Sequence, residues 1–405
     1  MGTGVSGRVV EVGVAGPLAP FAAEFSSRLA ESGYAPLTVV RHLRLMAHLS
    51  RWLEGFGLGV ADLTSGRVEQ YLGERRGAGG GPGCTRRGLA PLLETLAGLG
   101  VLPAMPLGGV GPAEVLLASF ERYLLQERAL APCTAAAYVS RARRFLARCA
   151  PGGSVAGLAA AEVTGAVLAE AERVSPGSAQ YFVAALRSFL RFCFIEGLAE
   201  ADLSAAALTV TGRRHWPLPQ GLSPASAGAL LGSCDRRRAT GRRDYAVLAV
   251  LLRLGLRASE VARLALDDIN WRAGEIVVHG KGGRQDSLPI PWDVGEAIAG
   301  YLQRGRPASG RREVFLRALA PAGPLGRGGV SWIVRRACQR AGVPEVGAHR
   351  LRHTAAGQMV AAGVPLPEIG QVLRHRSAAS TAVYARVDLG ALRVLAQPWP
   401  GGGQR

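Results

Sequence analysis

The sequence contains almost no lysine: among 48 basic residues, Lys281 is the single one. Cysteine is sparse as well. The six residues Cys84, Cys133, Cys149, Cys193, Cys234 and Cys338 include no CxxC pair. That spacing argues against a disulfide framework or a zinc ribbon and reads as small buried hydrophobes in a reducing compartment. No apolar run approaches the ~20 residues a membrane-crossing helix needs. The longest, Ala246 to Leu256, is interrupted by Arg253. The N-terminus lacks a basic segment followed by an apolar one, so no secretory leader is expected. Acidic residues fall well short of basic ones, and the formal net charge is +18. Such a charge attracts polyanions. Nucleic acid is the first expectation, and an anionic membrane surface the second.

What is present suits two or three domains. The chain has 405 residues, 48% of them apolar, more than one ordinary core accommodates. Two stretches of the N-terminal half match at a spacing of about 95 residues. Phe25 answers to Phe120, Val68 to Val163, Leu92 to Leu186 and Leu96 to Leu190. Each copy reads as four helices. In the second they are expected over Ser119–Glu127, Thr134–Cys149 with Thr134 as N-cap, Leu158–Glu172 and Ser178–Glu196. Arg141, Arg144 and Arg148 share one face of the second of these helices, and Arg187 and Arg191 repeat the theme on the fourth. A solvated polar face is the plain reading of either helix. Two basic faces in one module of a basic chain favour phosphate contacts.

A proline-broken linker separates the repeat from a third domain, which Ser223-Pro224 opens. Four segments of that domain carry groups suited to phosphoryl transfer. In Gly255-Leu256-Arg257-Ala258-Ser259-Glu260, a helix stops at Gly255 and Ser259 is expected to cap the next. Arg257 then sits at a helix start, where a cation gains nothing from the dipole. Two alternating runs, Glu275–His279 and Gln285–Pro291, flank a glycine-rich turn and predict a hairpin with Lys281 at its tip. In His349-Arg350-Leu351-Arg352-His353-Thr354, His349 and Arg352 share a helical face. His349 and His353 are also spaced to chelate a metal, but no third ligand accompanies them. Last come Arg374-His375 and, nine residues after His375, Tyr384, which alone would read as a core tyrosine.

Together these segments resemble the tyrosine recombinase, or phage integrase, superfamily. The likeness is most specific over residues 245–387, and residues 113–206 resemble that family's core-binding domain. With the internal repeat it gives a mainly α fold: two tandem helical modules of the SAM-like, core-binding type, the first additional to the minimal family layout, and a mostly helical catalytic domain with a small β-hairpin or sheet. The expected layout is a tail (1–16), a first module (17–108), a second module (111–206), a linker (207–221), a catalytic domain (222–396) and a disordered tail (397–405).

The resemblance implies that Arg257 and Arg352 clamp a scissile phosphate and that Lys281 protonates the leaving 5′ oxygen. His349 assists proton movement at the nucleophile, and His375 bonds a phosphate oxygen. Glu260 orients its neighbours, and Tyr384 forms a 3′-phosphotyrosyl bond. Arg141, Arg144, Arg148, Arg187 and Arg191 are the expected DNA contacts. The implied activity is site-specific recombination of double-stranded DNA, of integrase or transposase type, without metal, cofactor or ATP. It implies self-association on DNA as a dimer to tetramer, possible accessory recombination proteins, no membrane partner, and a cytoplasmic, nucleoid-associated location. A non-catalytic DNA-binding regulator and a strand-nicking topoisomerase of type IB are the alternatives. One position departs from the family pattern: Arg374 stands where glycine is usual.

Overall fold

The computed structural model describes residues 12–77, 85–102, 111–212, 221–280, 283–375, 377, 381, 382 and 384. Among these the chain is mainly helical with one small antiparallel sheet, the architecture expected. Most of the linker and of the N-terminal tail, the C-terminal tail and Lys281 lie outside the described residues.

The N-terminal half forms α1 (Ala22–Glu31), α2 (Pro36–Gly55), α3 (Ser65–Gly77), α4 (Arg86–Gly98), α5 (Pro112–Gln126), α6 (Pro132–Cys149), α7 (Ala160–Arg173) and α8 (Pro176–Ile195). The residues that matched in sequence are buried in both copies: Phe25 and Phe120, Val68 and Val163, Leu92 and Leu186, Leu96 and Leu190. Helix starts differ from the sequence reading. The first helix of the second copy begins at Pro112 instead of Ser119, and the second is capped by Ala131 instead of Thr134. The fourth begins at Pro176. All three open on a proline, whose missing N–H is one of the unpaired first-turn donors in any case and whose fixed φ already suits a helix.

The C-terminal half contributes α9 (Pro224–Gly232), α10 (Ala239–Arg253), α11 (Ala258–Arg263), strands β1 (Ile269–Asn270), β2 (Glu275–His279) and β3 (Gln285–Pro289), then α12 (Trp292–Arg304), α13 (Arg327–Ala341), α14 (Ala348–Ala361) and α15 (Leu366–Val372). Ser223 caps α9, accepting from the Ser226 N–H at 3.1 Å. The sheet order is β1-β2-β3. β2 and β3 pair from Glu275 opposite Pro289 to His279 opposite Gln285, which is the expected hairpin. Ile276 and Val278 alternate inward, and Ile276 meets the buried Leu288 across the ladder.

The chain divides into two compact units. One gathers the described residues of 1–51, 87–92 and 216–405, and the other those of 52–86 and 93–215. The second unit packs Leu117, Phe120, Leu124, Phe145, Phe189 and Phe192 into one core. In the first, Ala246 to Leu252 are all buried, so α10 is its central helix, in contact with α12 and α14. A helix apolar all round is a buried helix. This accounts for the longest apolar stretch in the sequence, and no helix among the described residues is long and apolar enough to cross a membrane.

Candidate active site

The turn between α10 and α11 starts the site. Gly255 adopts φ +60°, which favours glycine, and a Cβ there would meet Leu373 Cδ2 at 2.6 Å, so that side chain would have to shift for any other residue. Its carbonyl is thereby free to face α14. The cap of α11 is Arg257 and not Ser259. Glu260, at the third helical position, accepts the Arg257 backbone N–H at 2.8 Å. The same carboxylate receives the Arg257 Nη1 at 2.7 Å. Glu260 explains how a cation is held at a helix start: its charge offsets the unfavourable dipole.

Arg352 is buried in α14. Its Nη1 donates to the Gly255 carbonyl at 2.6 Å, and its Nη2 donates to the Leu373 carbonyl. Burial first, then Arg257 and Arg374, bring its pKa down to about 10. A guanidinium has five N–H donors, so these two carbonyl bonds leave three uncommitted by them. On the same helix the His349 and His353 rings lie 4.4 Å apart, centroid to centroid.

The segment after α15 supplies the rest. Arg374 adopts φ +55° and its side chain is buried. Its Nη2 donates to Glu260 Oε2 at 2.8 Å. His375 Nδ1 lies 2.7 Å from Thr381 Oγ1. Tyr384 packs with Ala356, Ile369 and Leu373, and its hydroxyl lies 2.7 Å from His353 Nδ1. The His375 and Tyr384 rings run parallel with centroids 6.3 Å apart. An open cleft of about 1190 Å³ borders this segment and β3, lined among others by Arg284, Arg374, His375 and Thr381.

The electrostatics follow from burial among cations. Burial, then His349 and Arg352, lowers the His353 pKa to about 4. Burial, then Arg352, Arg257 and Arg374, brings His375 to about 4. His349 is also lowered, by burial and then Arg352 and Arg257. All three imidazoles are thus neutral at neutral pH. Burial raises the Tyr384 pKa, and Arg352 opposes it. Burial works to raise Glu260, but its bond to the Arg257 N–H, with Arg374 and the Arg257 side chain, holds it below its ordinary value.

The structure therefore brings Arg257, Glu260, His349, Arg352, His375 and Tyr384 into one cluster. Three residues outside the expected set belong to it: His353, Arg374 and Thr381. His353 had a visible signal, its four-residue spacing from His349. Thr381 had none. No group of three or more His, Cys, Asp or Glu side chains placed to hold a metal ion occurs among the described residues.

The five arginines of the other unit are engaged to different degrees. Arg141 lies 4.2 Å over the Tyr181 ring, and Tyr181 meets Tyr138. Tyr138 lines a cleft of about 270 Å³ with Arg128, Arg187 and Arg191. Arg187 donates to the Ala207 carbonyl at 2.9 Å and to Thr209 Oγ1 at 3.0 Å. Arg144 pairs with Glu170 at 3.2 Å and Arg191 with Asp202 at 3.8 Å, while Arg148 is exposed.

A helical unit that converges guanidinium groups, neutral imidazoles and a tyrosine hydroxyl defines a class of protein built for a phosphate-bearing substrate. Residues 221–390 match the model of the phage integrase family, and residues 117–197 match that of the phage integrase N-terminal SAM-like domain. The chain is 40% identical to "Putative integrase/recombinase y4rA" of Sinorhizobium fredii, over 96% of both chains. It is 34% identical to tyrosine recombinase XerD of Mycobacterium tuberculosis, over 57% of this chain and 76% of that one. Among solved structures, the XerH site-specific recombinase bound to its palindromic difH substrate overlays with a TM-score of 0.54 at 16% identity, covering 69% of this chain and 83% of that one. The Tn1549 transposon integrase in complex with circular intermediate DNA overlays at 0.52 and 15% identity, covering 70% and 99%. The chain belongs to the tyrosine recombinase, or phage integrase, family, whose members break and rejoin DNA strands.

Proposed function

We propose that this protein is a site-specific recombinase that cuts and reseals duplex DNA through a phosphotyrosyl bond on Tyr384, without metal or ATP. The observation that carries the reading is the single cluster in which the Tyr384 hydroxyl, His353, Arg352 and the Glu260-held Arg257 meet. The Tyr384 oxygen attacks the scissile phosphorus, and the bond from phosphorus to the 5′ oxygen breaks. The phenol proton passes to a neutral imidazole, His353 or His349. Lys281 returns a proton to the leaving 5′ oxygen. An arginine, with a pKa above about 12, serves poorly as that acid, whereas a lysine amine is tunable. This gives a chemical reason for the one lysine in the sequence. The forks of Arg257 and Arg352 hold the non-bridging oxygens, and His375 donates to one of them. The phosphotyrosyl bond stores the energy of the phosphodiester, so resealing is the reverse step.

Double-stranded DNA is the partner in this reading. The relatives bound to DNA substrates and the +18 charge support it. Exchange of four strand ends calls for two to four protomers on paired sites. Tyr384 is 2% exposed, and both Arg352 Nη atoms are engaged by carbonyls. DNA binding must therefore draw the tyrosine out before it can attack. The test is trapping on a nicked suicide duplex, in which the cleaved end diffuses away. The wild-type protein should accumulate a covalent adduct and Tyr384→Phe none; an adduct on the phenylalanine variant would exclude Tyr384 as nucleophile.

A further inference from the structure

We propose that Arg374 is a positioning residue for strand cleavage, acting through Glu260 on Arg257; the inference rests on the reading above. The residue stands 114 positions from Glu260 in sequence, yet its Nη2 donates to Glu260 Oε2 at 2.8 Å. Arg257 engages the same carboxylate twice, by its backbone N–H on Oε2 and its Nη1 on Oε1. Both oxygens of Glu260 are therefore committed, and the carboxylate is fixed between two guanidinium groups. Arg374 also donates through Nη1 to the Val372 carbonyl at 3.0 Å, anchoring it to the turn that carries His375. One buried side chain thus ties the segment bearing His375 to the helix start bearing Arg257.

Charge gives the second argument. A carboxylate paired with Arg257 alone would cancel the cation that is to face a phosphate. With Arg374 added, the trio of two guanidinium groups and one carboxylate carries a net positive charge. Arg257 keeps its orienting partner without losing its pull on an anion.

The backbone gives the third. At φ +55° an L side chain is strained and glycine is not. A strained residue persists where its surroundings over-determine it. The side chain here is 4% exposed and ion-paired to a carboxylate that is 2% exposed, so a solvated surface arginine is not what holds that conformation.

The same backbone makes the test clean, because Arg374→Gly removes the side chain from a conformation glycine prefers. The full-length parent, Arg374→Gly, Arg374→Lys, Glu260→Gln and the double variant Glu260→Gln/Arg374→Gly are compared on a nicked suicide duplex. Single-turnover adduct formation, DNA affinity and Tm are each measured. Arg374→Gly should keep its affinity and cleave slower by about tenfold or more, the scale of a misplaced reacting group, while Tm falls by what the lost buried pair costs less the relief of the positive φ. Arg374→Lys should recover part of the rate. The double variant should be no slower than Glu260→Gln alone, because two residues acting as a unit are not additive. Cleavage by Arg374→Gly at the parent rate overturns the inference. So does a loss confined to affinity, or rate losses for Glu260 and Arg374 that multiply. A parent that forms no adduct sinks the phosphotyrosyl reading and this inference with it; a reactive parent matched by an equally reactive Arg374→Gly sinks this inference alone.

Discussion

The hydroxyl of Tyr384 lies 2.7 Å from Nδ1 of His353, one helical turn beyond the His349 that the family motif points to. With His353 neutral and its proton on Nε2, the phenol donates and Nδ1 accepts, the arrangement a general base requires. The pKa of about 4 keeps His353 in that form well below neutrality. Single-turnover cleavage should therefore hold its rate as pH falls from 7 toward 5, where an ordinary histidine would protonate. His353→Phe should slow adduct formation by about 10²-fold or more, the usual scale of general base catalysis. If His349→Phe costs far more and His353→Phe nothing, the proton goes to His349.

The same burial predicts how stability depends on pH. His42, His349, His353 and His375 all have pKa values lowered in the folded state, each first by burial. The unfolded chain takes up protons near pH 6.5 that the folded chain refuses until lower pH. Stability rises with pH wherever the unfolded state binds more protons. The contribution of these histidines is thus complete above about 6.5 and declines as pH falls, for His353 and His375 through to about 4. Tm measured between pH 7 and 5 should fall, and His353→Phe should flatten the slope. A Tm that is constant across this window would contradict the buried neutral state.

Thr381 is placed to set the tautomer of His375. A threonine hydroxyl that donates to Nδ1, 2.7 Å away, leaves the imidazole proton on Nε2, where it can donate to a phosphate oxygen. Thr381→Val keeps the shape and removes the donor; Thr381→Ser keeps the donor. Cleavage should drop about tenfold or more in the first, the scale of losing the partner that orients a working imidazole, and recover in the second. Equal rates for the two variants would show that the hydroxyl is dispensable.

Much of this site was legible before any coordinates. Chemistry at fixed spacing survives in sequence: Arg257 with Glu260, His349 with Arg352, and His375 with Tyr384. The hairpin was legible because two alternating runs flank glycines. What was not legible depends on packing between distant segments. Arg374 reads as a departure from a glycine pattern, and nothing local reveals that it reaches Glu260. Thr381 looks like any threonine until the turn after α15 brings it to His375. Helix starts at Pro112, Pro132 and Pro176 were missed for another reason. Proline reads as a break, but at the first helical turn it is a start.

The basic faces of the helical module separate into arginines engaged within the protein, such as Arg187, and exposed ones, such as Arg148. Arg187 spends its guanidinium on the Ala207 carbonyl and Thr209 Oγ1. Arg148 is exposed at the end of α6. If Arg148 meets a phosphate, Arg148→Ala should weaken DNA binding and lower the slope of log affinity against log salt by about 0.9, one phosphate's worth of released counterions. It should leave Tm unchanged. Arg187→Ala loses two internal bonds, one to a main-chain carbonyl, and should cost about 1–3 kcal/mol of stability. Its salt slope should change less than that of Arg148→Ala, because a guanidinium already bound to the protein has fewer donors for a phosphate. Titrations of a cognate duplex at several salt concentrations, with urea unfolding of the same variants, measure both quantities. Should Arg187→Ala carry the larger change in slope and Arg148→Ala none, the phosphate contact belongs to the cleft lined by Arg128, Arg187 and Arg191 and not to the outer face of α6.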